Sequence, residues 1–403
     1  MVRVSKLQFC LLLVLFAGGL LFGLGLTAAT PQKTRKLPKP KRLDGAIELH
    51  RDAAGELRAT PRGAESEPVT VPDGVPRLRA QVNLVEVNCN VLRADGSQVR
   101  GLVQGAFRVF EDGVEQKVAH FDASEEPASL VLLIDSSPSV LPDLTEMKRA
   151  ARALAAQLSP ADEVAVATFG GETHLLLPFS RNRAGLERAI DSVKLDLVGR
   201  GSNIYEAIYL VARELFPGRT GRTALLLLTD GQDSGLGLSW SPESALPRGG
   251  ADRDRLSFED VARTLAEEGI ELDAVSTQPR PRAMTAVWLS EHAGATLLGG
   301  RARELEIPHY SLYLAELVRR AGGRLYFLRE IGTLGEVYKR IAAELGTQYT
   351  LGYYSATGTA KPGWRALRVS LTPTAQAPST SGQTGVPVIT VRHRLAYYVP
   401  ASP

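Results

Sequence analysis

Two cysteines in 403 residues, Cys10 and Cys89, are too few for a disulfide framework, so stability has to come from packing. Histidine is sparse as well. The six present form no H-E-x-x-H or comparable cluster, and with so little cysteine a zinc enzyme is disfavoured. Neither sign of charge dominates: 47 Lys plus Arg face 44 Asp plus Glu, and much of the small excess falls in one stretch near the N-terminus. That balance gives no support to a nucleic-acid-binding core. A phosphate-binding loop is missing too, since "GRGSN" lacks the lysine and the spacing of G-x-x-x-x-G-K-[ST].

What is present begins with one long apolar run. Arg3 and Lys6 precede Leu7 to Leu26, and "LTAATP" follows, the order of an export signal with a cleavage site near Ala28 or Ala29. About 20 apolar residues also suffice to span a bilayer, so residues 1–29 read either as a cleaved signal peptide or as a retained anchor. "QKTRKLPKPKR" places six cations beyond the run against two before it, the reverse of the usual cytoplasmic bias. The predicted location is extracytoplasmic. Residues 30–78, rich in Pro, Lys, Arg, Glu and Gly with no hydrophobic period, read as an unstructured linker.

Alternation begins at "VNLVEVNCNVL", with Val85, Val87, Cys89 and Val91 on one face, and turns are predicted at Asp95–Gly96 and Asp112–Gly113. Residues 79–127 are therefore expected to form an antiparallel β unit, with Cys89 as a buried apolar residue. From "SLVLLID" onward, continuous apolar strands alternate with amphipathic helices: Leu144, Met147, Ala151 and Leu154 stripe one helix, Ile204, Ile208, Val211 and Leu215 another. This predicts an open, doubly wound α/β fold with a mostly parallel sheet covered on both faces, over residues 128–347. Residues 348–403 return to β character, and their strands are expected to join those of 79–127 in a small antiparallel sandwich.

In an open α/β sheet, ligands bind beyond the carboxyl ends of the strands. "SLVLLID" ends in Asp135, with the hydroxyls of Ser136, Ser137 and Ser139 just after it; "TALLLLTDG" ends another strand at Asp230; and "VGRGSNIYEA" opens a helix with Ser202 in a glycine-rich loop. The order of these elements, with the D-x-S-x-S spacing of Asp135, Ser137 and Ser139, resembles the von Willebrand factor type A domain and its metal-ion-dependent adhesion site. The resemblance implies that Asp135, Ser137, Ser139, Ser202 and Asp230 hold a divalent cation, Mg2+ or else Mn2+ or Ca2+, with Ser202 standing where the family usually has threonine. Together with "GAFRVFEDGVEQKVAHF" before it and "QYTLGYYSATG" after it, the chain is similar to exported bacterial proteins that carry a VWFA-related domain.

The residue types suit that chemistry. Magnesium takes oxygen ligands in near-octahedral geometry and keeps some waters. Three hydroxyls and two carboxylates leave it under-neutralised, with a position open to a partner's Asp or Glu. The implied function is metal-dependent binding of a protein partner, not enzymatic catalysis. Other readings stand beside it. Alone, the stretch from Asp135 to Ser139 is equally a helix N-cap and "TDG" a turn. Asp135, His174 and Ser202 follow the subtilisin-like order of a serine hydrolase, although no G-x-S-x-G elbow is present. A structural envelope protein with a vestigial metal site is a third reading. Asp233 and Glu206 read as surface or supporting groups, and Asp162 and Glu163 as caps of a turn. Two insertions, 234–255 and 278–310, leave the carboxyl ends of strands; their arginines and Trp240 and Trp288 suit partner-contacting loops, and disordered padding is an equal reading.

Overall fold

The computed structural model describes residues 40–43, 47–51, 57–61, 84–93, 97–123, 127–197, 201–219, 221–234, 256–282, 284, 309–327, 341, 349–356, 362–373 and 389–399. The expected signal segment, the turn expected at Asp95–Gly96, nearly all of both insertions and the helix expected around Leu334 lie outside them.

In chain order the strands and helices are β1 (Lys41–Arg42), β2 (Ile47–Arg51), β3 (Leu57–Pro61), β4 (Leu84–Leu92), β5 (Phe107–Glu111), β6 (Val114–Gln116), β7 (Val118–Asp122), β8 (Ala128–Asp135), α1 (Leu144–Ala155), β9 (Glu163–Phe169), β10 (Thr173–Ser180), α2 (Arg183–Ser192), α3 (Ile204–Leu215), β11 (Arg222–Thr229), α4 (Phe258–Glu267), β12 (Glu271–Ser276), α5 (His309–Arg320), β13 (Leu325–Phe327), β14 (Tyr349–Tyr354), β15 (Gly363–Leu371), β16 (Thr390–His393) and β17 (Ala396–Val399).

A seven-stranded sheet in the order β1-β10-β9-β8-β11-β12-β13 forms the α/β part. Pairings from β9 across to β13 are parallel, and β10 and β1 are antiparallel at one edge. Continuous apolar strands suit this sheet because alternate residues serve opposite faces. Val131, Leu133, Leu225 and Leu227 meet α3, α4 and α5 on one side. Leu130, Leu132, Leu226 and Leu228 meet α1 and α2 on the other. Every residue of β8 and of β11 is buried.

The flanks pair with each other, as the alternation predicts. β14 lies between β4 and β7, and β15 lies between β5 and β17, giving two four-stranded sheets around a shared core that includes Val87, Cys89, Val109, Leu351 and Val369. Burial pushes the Cys89 thiol well above its ordinary range. The β5–β6 hairpin turns at Asp112 and Gly113, both at positive φ (47° and 85°), as a two-residue turn of matched twist requires.

Three elements depart from the linker reading of residues 30–78. β1 adds to the outer edge of β10, Leu43 behind it is fully buried, and β2 pairs with β3. The cause is an open edge: β10 would otherwise present unpaired backbone groups, and two residues followed by one leucine are enough to cover part of it.

The sandwich is fastened to the α/β part at helix ends. Arg394 donates to the carbonyl of Ala266 in the last turn of α4 (3.1 Å), and Arg392 to that of Gly322 just beyond α5 (3.2 Å). Cations there satisfy orphan carbonyls and complement the negative end of the helix dipole. Trp364 donates its indole N–H to Glu259, which also pairs with Arg320 (3.0 Å). Among the described residues no helix is long and apolar enough to cross a membrane.

Candidate metal centre

Parallel pairing of β8 with β11, Ile134 opposite Leu228, brings Asp135 level with Thr229 and places Asp230 just beyond. Ser202 arrives from the loop preceding α3. Gly201 has φ +92°, and a Cβ there would lie 2.7 Å from that of Ser234, so only glycine lets the two loops touch. Ser234 N–H donates to the Ser202 carbonyl (2.7 Å), and Ser234 Oγ accepts from Ser202 N–H (3.2 Å).

Asp135 is fully buried. Its Oδ1 accepts from the Ser137 N–H (2.9 Å) and hydroxyl (2.6 Å); its Oδ2 accepts from Thr229 Oγ1 (2.6 Å) and Ser202 Oγ (3.4 Å). Ser139, the one exposed member of the set, lies 3.1 Å from Ser137, hydroxyl to hydroxyl. Asp230 is also buried, with Oδ1 accepting from Gln232 N–H (3.0 Å) and Oδ2 lacking any partner. The structure thus gathers all five sequence-derived candidates at one rim.

Burial pushes the Asp135 carboxyl up to about 6, against the opposing pull of the Ser137 and Thr229 hydrogen bonds, and the neighbouring Asp230 charge adds to the rise. An anionic oxygen buried without a donor is costly. Asp230 Oδ2 therefore fits a cation, and oxygen-only donors suit a hard one such as Mg2+. Among the described residues no three His, Cys, Asp or Glu side chains converge, so a cation here would rest on two carboxylates plus hydroxyls.

The duller readings can now be separated. Ser137 stands at the N-cap position of the 3-10 turn Pro138–Val140, but no side chain caps that turn or α1, so the serine hydroxyls after Asp135 are not spent on capping. "TDG" is indeed a turn, Gly231 having φ +81°, but that turn uses only one Asp230 oxygen. The Asp-His-Ser triad is not assembled. His174 sits on β10, two strands and roughly 10 Å from β8, and its carboxylate neighbour is Glu172 at 3.5 Å. Asp233 supports α3 by accepting from Ile204 N–H (2.7 Å), and Asp162 ties Ala128 and Ser159 amides (2.9 and 2.8 Å).

Sequence reasoning missed Thr229. It donates to Asp135 and accepts from Gly231 N–H (2.9 Å), so its hydroxyl proton is directed at the carboxylate. Its position immediately before Asp230 was legible; its partner on β8 required the strand register. Ser136, grouped with its neighbours by sequence, instead binds the Phe169 carbonyl (2.7 Å) and is structural.

A family model for the von Willebrand factor type A domain matches residues 130–232. Similar solved structures include an aerotolerance-related membrane protein from Bacteroides fragilis NCTC 9343 (17% identity, 54% of this chain and 98% of that one, TM-score 0.37). BatB from Bacteroides thetaiotaomicron is similar at 20% identity over 54% of this chain and 97% of its own, with the same TM-score of 0.37. Proximal thread matrix protein 1 from the mussel byssus, in a form with a zinc-occupied MIDAS motif, is similar at 17% identity over 58% of this chain and 49% of its own, TM-score 0.37. No curated protein sequence matches the chain. Asp135, Ser137, Ser139, Ser202 and Asp230 all fall inside the matched segment, and residues 130–232 of this chain are similar to the von Willebrand factor type A domain.

Proposed function

We propose that the protein is an exported, extracytoplasmic binding module in which Asp135, Ser137, Ser139, Ser202 and Asp230 hold a divalent cation, Mg2+ or else Mn2+ or Ca2+, and that the cation accepts an Asp or Glu side chain of a protein partner. The observation that carries this reading is Asp230 Oδ2, a buried carboxylate oxygen with no hydrogen-bond partner beside a second buried carboxylate. Serine at position 202 keeps the hydroxyl that the family's threonine would offer. The chain enters the insertions 234–255 and 278–310 just beyond β11 and β12, and their arginines, Trp240 and Trp288 are the residues proposed to contact the partner. Nothing in this chemistry calls for a bond to be made or broken, so the module binds and does not catalyse.

The test is calorimetric titration of the purified chain with MgCl2, MnCl2 and CaCl2, alongside Asp135→Ala. Saturable binding lost in the variant supports the site. No heat of binding for any of the three ions would leave the second reading, a structural envelope protein with a vestigial site. One observation favours that reading: both Asp135 oxygens already accept hydrogen bonds from Ser137, Thr229 and Ser202, so this corner holds together without a cation.

A further inference from the structure

Six large apolar side chains stand exposed among the described residues, and four of them, Leu84, Val103, Val114 and Tyr354, belong to the sandwich. The two on the α/β part are Leu141, 64% exposed, and Leu197, 75% exposed. Both occupy loops of the candidate metal rim. Leu141 closes the 3-10 turn that follows Ser137, with its N–H on the Pro138 carbonyl (3.2 Å) and Val140 N–H on that of Ser137 (3.2 Å). Leu197 follows Asp196, whose N–H is bonded to the Ser136 carbonyl (2.7 Å), and five residues later the chain reaches Ser202 on Asp135. Leu141 and the residue before Leu197 are therefore both held by backbone hydrogen bonds to the segment 136–138.

Single exposed apolar residues are ordinary on any surface. Here the rest of the described α/β surface carries none of this size, and both exceptions sit in loops hydrogen-bonded to the segment that follows Asp135. An open position on the cation would attract any acidic side chain alike, so charge alone discriminates poorly among acidic partners. Apolar side chains that lose water on contact would supply the discrimination.

We infer that Leu141 and Leu197 form an apolar collar around the metal position, and that the partner is a protein segment presenting an aspartate or glutamate among apolar side chains. This inference rests on the proposed cation site. Segments in which the acidic residue is surrounded by polar or charged neighbours are rejected, because they would leave two leucines against groups that need water.

A random peptide library displayed on phage, selected against the full chain in MgCl2 and again in EDTA, tests it. The expected result is magnesium-dependent enrichment of peptides with Asp or Glu flanked by Leu, Ile, Val, Phe or Met. The double variant Leu141→Ser/Leu197→Ser should bind the enriched peptides roughly tenfold more weakly or worse, since burying even one leucine is worth that much. Its magnesium affinity should be unchanged, both side chains being exposed; Leu141→Ala/Leu197→Ala is the milder pair should serine disturb the turns. Acidic peptides enriched without apolar neighbours, or equal peptide binding by the double variant, would overturn the collar while leaving the metal site standing. Absence of magnesium binding in the calorimeter would instead remove the reading on which the collar depends.

Discussion

Asp135 makes the metal-free protein less stable as pH rises, and the size of that effect follows from its burial. Its carboxyl titrates near 6 in the folded chain against an ordinary value of 3.8. Between those values the folded state holds one proton that the unfolded state has lost, so stability falls by about 1.4 kcal/mol per pH unit. Across roughly 2 pH units the loss amounts to about 3 kcal/mol, complete once the pH passes the folded value. The contribution is fully present below pH 3.8, the opposite of a salt-bridged aspartate. Other groups titrate in the same range, so the quantity to measure is the difference between wild type and Asp135→Asn, by urea unfolding in EDTA from about pH 3.5 to 8. Wild type should lose ground relative to the variant up to about pH 6 and then run parallel to it. In saturating MgCl2 the loss accumulated by about pH 6 should be offset in wild type, because a ligand that binds only the folded state stabilises it, while Asp135→Asn should gain little. A difference that stays flat with pH, or rises, would refute the account of a desolvated carboxylate beside Asp230.

Three further outcomes are expected. Ser202→Ala should weaken magnesium binding less than Asp135→Ala does, water replacing one neutral ligand, and Ser202→Thr should be tolerated or favourable; isothermal titration ranks all three. Thr229→Val removes the donor to Asp135 and strands the Gly231 N–H, which should cost about 1–3 kcal/mol in urea unfolding and move the Asp135 titration, followed by carboxyl NMR, to still higher pH. Gly323→Ala should destabilise strongly, by more than about 2 kcal/mol, because its Cβ would lie 1.8 Å from the Leu272 carbonyl oxygen; Gly105→Ala, which meets nothing within 4 Å, should stay within about 0.5 kcal/mol of wild type.

The doubly wound sheet was legible because its strands are buried on both faces and so read as unbroken apolar runs, as in Leu130 to Ile134 and Ala224 to Leu228. The sandwich was legible for a different reason: "VNLVEVNCNVL" and "WRALRVSL" alternate, and two half-buried sheets without other partners must find each other. What sequence could not give is anything fixed by register across distant segments. Thr229 touches Asp135 only because Leu228 pairs with Ile134, far away in the chain, and no local pattern encodes that alignment. β1 was missed because two charged residues, Lys41 and Arg42, carry no strand signal; the edge of β10 and the burial of Leu43 create it.

The joint between the two halves bears on how the rim can be used. Arg392 and Arg394 grip the α/β part where α4 and α5 end, and Arg392 also lies 3.7 Å from Glu271, the first residue of β12. Asp135 is the last residue of β8, which runs parallel to β12 through β11. At about 3.3 Å per residue, six to eight strand residues put the joint roughly 20–25 Å from the metal position, at the opposite edge of the sheet. The joint therefore lies away from the rim that carries Asp135 and Asp230. The clamps satisfy carbonyls at two helix ends, and Gly322 packs so closely that a Cβ there would lie 2.8 Å from the Arg394 backbone nitrogen. On the proposed reading, a partner that docks at the rim would meet a site whose side chains are already ordered by hydrogen bonds, which lowers the entropy lost on docking.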